Sequence, residues 1–556
     1  MKQIINGRVK YKNVEGHERV FSNQFLEYLL KVHDNFSNRI QKIRKNRELI
    51  LNDAIKNKIQ PTSLTNNSID YSGWMVPNIP KDLTTYGIEI SGPASNTPMF
   101  INGLNPDKEG YRADGDLDDD EDSASHTLSN TLKATLNREG AVNRSLEYFD
   151  ESRNRQYKIA DGKLPFLMHR ERGLMLDEVD FLIDDCPVSA SILGTCLTLF
   201  FAGKAHVEKR EKIYFYLPKL EGFEEAVFWK DFFDFSCNHL NYLEKSFIKA
   251  IILIESLPAV FQMEEMLYGL GQYAAGLNAA RWDLKASMLE YVLSDEKSIW
   301  PDRFDIDIKK TPFLSNIFRR LVAICLKHGA VPIGGMATAL PSKDPEVNKL
   351  AAISIIEDKK WEAQQGFLRA WVSHIYHMKT AAIPFKEIHK SGLKPDEYQQ
   401  NPDNFPIFLE VPKGSLTMEG TRRNIRTIIE YLEGWLNDKG AKGIDSLEGK
   451  PGVHPALMED LATARISVSQ VSQRLIHGSV CENTGAIHDF KQVRNIFNSE
   501  FEDIMKLHPN ANEEFYQKAR KIGIHWIHSY TEFNFDSLGS ISRERLEMIG
   551  TSNDKF

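Results

Sequence analysis

Lys249-Ala-Ile-Ile-Leu-Ile-Glu-Ser256 is followed, after a helical stretch, by Ala275-Gly-Leu-Asn-Ala-Ala-Arg-Trp-Asp283. Residues 249–254 form a short apolar run of strand type, and Glu255 falls where that strand ends. Met263, Met266, Leu267 and Leu270 recur at helical spacing between the two segments. The pair therefore reads as a βαβ unit with a carboxylate at each strand end. Two such carboxylates can converge on one cation, and magnesium is usually held by one or two protein carboxylates plus water and substrate oxygens. Functional acids at the C-terminal ends of successive strands are the pattern of a (β/α)8 enzyme. Surface acids at strand ends are the plain alternative.

Outward from this unit, strand-like segments alternate with helical ones between about residue 86 and residue 375. The expected strands are 87–91, 99–102, 165–169, 213–217, 250–254, 276–278, 330–336 and 368–373. Such alternation favours a parallel sheet flanked by helices. Before it, Leu26, Leu29, Leu30, Ile40, Ile43 and Ile50 predict a long helix over 25–58, ended by Pro61 and the polar residues 62–68. The apolar stretch 188–207 is broken by Ser189, Ser191, Thr195 and Lys204 and reads as a buried helix. After Pro384 the character changes. Prolines punctuate a connecting region, then helices are expected over 421–439 (with Gly440 as C-cap), 458–477 and 512–530.

The chain has 556 residues, 42% hydrophobic and 26% charged, an ordinary globular balance for about two to four domains. A net charge of −8 argues against general nucleic-acid binding. Five cysteines without C-x-x-C spacing fit a reducing compartment better than a disulfide framework. No run reaches the roughly 18 apolar residues of a membrane span. Residues 1–7 contain no secretory h-region, and 553–556 is no peroxisomal address, so a cytoplasmic monomer or small homo-oligomer is expected.

The segment 252–268 followed by 275–283 resembles malate synthase in its compact isoform-A form. So do Met168-His-Arg-Glu-Arg-Gly173, Ile213-Tyr-Phe-Tyr-Leu-Pro-Lys-Leu-Glu221, Gly334-Gly-Met-Ala337, Ala370-Trp-Val-Ser-His374 and Leu457-Met-Glu-Asp-Leu-Ala-Thr-Ala-Arg-Ile-Ser467. The resemblance covers roughly residues 86–480. It implies an α/β fold: a TIM barrel over 86–394, an N-terminal helical clasp over 1–85 and a C-terminal helical plug over 395–556. The implied reaction is magnesium-dependent condensation of acetyl-CoA with glyoxylate, followed by thioester hydrolysis to malate and CoA. By position, Glu255 and Asp283 match the magnesium ligands, Arg170 the enolate-stabilising arginine and Asp460 the catalytic base. A related condensing or carbon–carbon cleaving enzyme with another 2-oxo acid or acyl-CoA, and a non-catalytic CoA- or partner-binding barrel, are the competing readings.

Departures crowd the same places. The family's Arg-Pro-Arg-Gly-Trp-His is here Arg170-Glu-Arg-Gly-Leu-Met175, so Glu171 stands where it could draw Arg170 away, and Leu174 replaces tryptophan. The glycine before Arg281-Trp-Asp283 is Ala280, and Ile375 replaces a proline. Ala280, Arg281 and Trp282 are expected around the substrate. Ala113-Asp-Gly-Asp-Leu-Asp-Asp-Asp-Glu-Asp-Ser123 aligns through Glu121 and Asp122 with acids near the metal, or else forms a solvated loop. Lys219 and Glu221 are expected to brace the barrel end.

Overall fold

The computed structural model describes residues 2–4, 7–64, 70–445, 447, 452–535 and 543–551. The polar stretch 62–68 and residues 1–7 lie partly, and 553–556 wholly, outside them. Eight parallel strands close into a barrel: β1 (Gly87–Gly92), β2 (Gly115–Asp119), β3 (Phe166–Arg170), β4 (Ile213–Leu217), β5 (Ile248–Ile254), β6 (Ala274–Ala279), β7 (Val331–Ala337) and β8 (Arg369–Val372). Their order round the barrel is β4-β5-β6-β7-β8-β1-β2-β3 and back to β4. Alternate residues point inward, where Met168, Tyr214, Tyr216, Ile251, Leu253, Ile333 and Trp371 fill the interior. The other face, with Phe215, Ile252, Ile254 and Leu277, packs on the surrounding helices.

Two expectations exchange places here. Residues 99–102 lie in the helix Thr97–Leu104, which Asn96 caps and Pro98 opens. The missing strand is β2, inside the acidic run, where every residue is buried. A strand of aspartates survives burial because each face meets a cation. Inward, Asp119 sits in register with Arg170, and the two form a two-pronged pair at 2.7 Å. Outward, Asp118 accepts from Arg138 and lies 2.7 Å from His169 Nδ1, while Arg138 also holds Asp120 and Glu171. A solvated loop is therefore excluded for 115–119.

Asp116, also on the outer face, has its pKa pushed well above the usual carboxylate range by burial, then by the charges of Asp118 and Glu89. Folded Asp116 thus keeps its proton to higher pH than the unfolded chain does. Below about pH 4 both states are protonated and nothing is lost; above it the unfolded state ionises first and stability falls. Asp116→Asn is expected to stabilise the protein by about 1–3 kcal/mol at pH 7.5. The gain, measured by chemical denaturation, should shrink toward zero as pH falls toward 4. A gain of equal size at every pH would trace to packing instead.

Helix α1 (Asn23–Asn57) starts where Ser22 accepts the N–H of Phe25. Its buried face includes Phe36, whose ring meets Phe228 and Phe232 of the helix Phe223–His239 edge-on at 5.5 and 5.8 Å. Further along, Arg44 donates to the carbonyls of Leu174 and Leu176 and to Asp177, and Arg47 pairs with Glu225. The N-terminal region is not purely helical. Val9–Tyr11 joins the strands Asp177–Ile183 and Cys186–Ser189 in an antiparallel sheet.

The stretch Ala190–Glu208 is long and apolar enough to cross a membrane, but 78% of its most apolar window is buried inside the protein. It is a core helix, as its sequence predicts. The five cysteines are free thiols. The helix Met378–Ser391 runs through Pro384, so the break comes later than the sequence implies.

A second apolar core joins the helices Met418–Leu436, Leu461–Ile476, Phe490–Leu507 and Glu513–Thr531 through Ile428, Leu432, Val468, Phe497, Ile522 and Trp526. The first of these ends at Leu436 with Asn437 as C-cap, short of Gly440. Gly523 lets two of them approach closely, since a Cβ there would stand 2.7 Å from Ile428 Cγ2.

Candidate active site

Glu255 directly follows β5, so the strand that fixes its backbone also fixes its carboxylate at the C-terminal mouth of the barrel. Beyond β6, Ala280 is the N-cap residue of the helix Arg281–Tyr291, and Asp283 lies in the first turn, where the helix dipole favours an anion. Asp122 follows β2. Asp122, Glu255 and Asp283 are all buried, and each offers an oxygen such that the three lie within 4.8 Å of one another. The pair expected from the sequence therefore converges, and Asp122, expected around the metal, stands among them as an equal.

The charges around this trio are tightly balanced. Lys219 Nζ lies 3.0 Å from Asp283 and 3.1 Å from Asp122. Arg465 reaches Asp283 at 3.1 Å, and Arg170 Nη1 is 3.4 Å from Asp122. Burial pushes Glu255 up to about 7, against the pull of Lys219. Burial also raises Asp122, with the charge of Asp283 adding to it. Burial works on Asp283 too, yet Lys219 and Arg465 hold it below the usual range. Glu255 Oε2 is buried and accepts no hydrogen bond.

Arg170, the last residue of β3, stands over the Trp371 ring, its guanidinium carbon 5.4 Å from the centroid. Trp371 is itself fixed by donating to Glu89 and to the Tyr216 hydroxyl, both at 3.1 Å. Glu171 does not draw Arg170 away. Successive strand residues face opposite sides, and Glu171 points outward to Arg138 and Thr198.

Asp460 is the N-cap of the helix Leu461–Ile476, forming a capping box with Thr463. Its pKa is raised well above the usual range by burial, then by Asp122 and Asp283, which brings it electrostatically into the same site. The cap thus coexists with the influence of those carboxylates on Asp460.

Arg281 and Trp282 correct the sequence reading. The Arg281 guanidinium is turned to Asp358 and Glu362 of the helix Pro345–Gln365. Trp282 packs against the main apolar core, with Lys285 Nζ 5.0 Å from its ring centroid. Ala280 is 8% exposed with φ −84°, a conformation any residue adopts, so the backbone here has no need of glycine. Leu174 is buried in the core, and Ile375 packs against it.

A cavity of about 520 Å³ opens above the carboxylates. Glu121, Asp122, Lys219 and Glu255 form its floor, Arg44 and Leu51 of α1 one wall, and Leu461, Arg465, Trp526 and Tyr530 of the C-terminal helices the other. Glu221 and Tyr291 also line it, their side chains 3.4 Å apart. Sequence reasoning missed Asp119 and Arg465 as parts of this site, and gave Lys219 only a bracing place at the barrel end. Lys219 carried a usable signal, a lysine two residues beyond a strand end. Arg465 carried only its place one turn into the helix that Asp460 caps.

Models of the malate synthase TIM barrel domain and the malate synthase C-terminal domain match residues 166–409 and 415–536. Malate synthase A of Escherichia coli (strain K12) is 32% identical over 476 residues, 84% of this chain and 85% of its own. Glyoxysomal malate synthase of Candida tropicalis is 30% identical over 501 residues, covering 88% and 87%. Malate synthase of Myxococcus xanthus (strain DK1622) is 32% identical over 474 residues, covering 84% and 83%.

Proposed function

The chain belongs to the malate synthase family and is a transferase condensing acetyl-CoA with glyoxylate, and we propose that the barrel-mouth cavity is where it does so. The observation that supports this most is the convergence of Asp122, Glu255 and Asp283 at the strand ends below that cavity. Hard carboxylate oxygens gathered about a positive charge, one of them without a hydrogen bond, suit magnesium. Those three residues would hold the ion. When bound it supplies Lewis-acid polarisation of the 2-oxo acid carbonyl.

The chain's own groups carry the proton chemistry. Asp460 removes a proton from the thioester methyl, a weak acid, and its raised pKa makes its carboxylate a stronger base than a free aspartate. Arg170 stabilises the enolate oxygen. Asp119 holds its Nε and Nη2 edge, which fixes the guanidinium plane and leaves Nη1 toward Asp122. Carbon–carbon bond formation gives malyl-CoA, and water then cleaves the thioester to malate and CoA. In this reading residues 1–85 clasp the barrel of 86–394, and 395–556 plug its mouth, bringing Asp460 over the floor. The setting is cytoplasmic.

The test is thiol release from acetyl-CoA across a panel of 2-oxo acids. Release with glyoxylate supports the reading, and release only with a bulkier acid moves the acceptor. No release with any acid overturns it. Ala280→Gly probes the same question. If the turn before Asp283 bounds the acceptor, removing one methyl shifts kcat/KM toward glyoxylate by about 10-fold. An unchanged ratio against two bulkier acids would make Ala280 a neutral replacement.

A further inference from the structure

Lys219 is a lysine buried among acids, two residues beyond β4. Its Nζ lies 3.0 Å from Asp283, 3.1 Å from Asp122, 3.3 Å from Glu121 and 3.7 Å from Glu255. Its backbone is as constrained as its side chain. Lys219 has φ +56°, in the left-handed region that few side chains adopt, and its N–H donates to Glu255. Its carbonyl accepts from Arg47 of α1. The ammonium is thus delivered to the carboxylates by a turn held from both sides.

Three of its four partners are the residues whose oxygens converge for a cation. Buried carboxylates this close stay ionised only with positive charge between them. The ammonium supplies that charge from within 3.7 Å of all three. Glu121 differs from the other three. It is outside the converging trio, and its second oxygen accepts the N–H of Gly173 at 3.0 Å, which anchors it independently of the lysine. A displaced ammonium therefore keeps one carboxylate partner.

We propose that Lys219 is an internal counter-ion that competes with the divalent cation for Asp122, Glu255 and Asp283, and yields to it by moving onto Glu121. This rests on the metal reading given above. The competition sets both affinity and selectivity. A monovalent ion offers the trio no more charge than the ammonium already does, so only an ion of higher charge displaces it. It also keeps the carboxylates together before the metal arrives, so binding exchanges one cation for another and does not assemble a site.

Magnesium titrated by calorimetry into the full chain tests this, with melting temperature followed with and without the ion. Lys219→Met is expected to bind magnesium about 10- to 100-fold more tightly than the native protein. Its melting temperature without magnesium should fall, and magnesium should raise it by more than it raises the native protein's. Glu121→Gln should do the reverse, weakening magnesium binding because the ammonium loses its charged second partner. It keeps the proposal testable if Lys219→Met fails to fold. Equal or weaker binding by Lys219→Met, or unchanged binding by Glu121→Gln, with normal binding by the native protein, overturns the counter-ion role and leaves the metal reading standing. No binding by the native protein overturns both.

Discussion

Glu255→Gln and Asp283→Asn are each expected to weaken magnesium binding by at least about 100-fold and to reduce turnover at least as much. Losing a group that merely orients a metal ligand typically costs 10- to 100-fold, and a ligand's own charge is worth more. Both replacements keep size and lose charge at positions whose backbones are set by β5 and by the first turn after β6, so the fold should persist. The two differ in a useful way. Asp283 also accepts from Nη1 of Arg465, so Asp283→Asn weakens that contact while Nε and Nη2 stay on Glu290, whereas Glu255→Gln disturbs the Lys219 turn. Calorimetry with magnesium separates binding from chemistry. Native affinity in both variants would remove the pair as ligands.

Asp460→Asn should lower kcat by about 10²- to 10⁴-fold, the usual contribution of a general base, while leaving magnesium affinity near native. Asparagine is as good an N-cap as aspartate, so the helix Leu461–Ile476 should start where it does now. Loss of activity then reports on proton transfer and not on a frayed helix. Exchange of the acetyl-CoA methyl protons with deuterated solvent should disappear together with turnover. Near-native exchange would place the base elsewhere.

The strands flanking this chemistry differed in how plainly the sequence announced them. β5 is mostly apolar and rich in β-branched isoleucine, so local pattern and burial agree. β2 is a strand only because of partners far along the chain. Arg138 and Arg170 make its aspartates acceptable in the interior, and nothing within residues 113–123 records them. Residues 99–102 failed in the opposite way, since a run of three apolar residues suits helix and strand alike. Their cap and proline decided the matter.

The same division holds at the site. Glu255 could be read from its strand-end position, whereas Asp283 reaches the site from the first turn of the helix that follows β6. The outward turn of Arg281 could not, because Asp358 and Glu362 lie on another helix. Glu171 was misjudged because adjacency in sequence was taken for adjacency in space, which strand pleating denies.

The capping box at Asp460 has a consequence for the energetics of the reaction. A carboxylate on a mobile loop must lose its rotational freedom when the substrate arrives, and that loss adds to the barrel enzyme's activation free energy. Here one carboxyl oxygen already accepts the Thr463 N–H at 3.1 Å, so the side chain's torsions are restricted by the helix it begins. The other oxygen is presented from a rigid support. Well-oriented groups of this kind act at very high effective molarity, on the order of 10⁵ M or more in favourable intramolecular cases. With Asp460 in the proposed role of base, the entropy of placing it is spent when the helix forms, once per molecule, and not once per turnover.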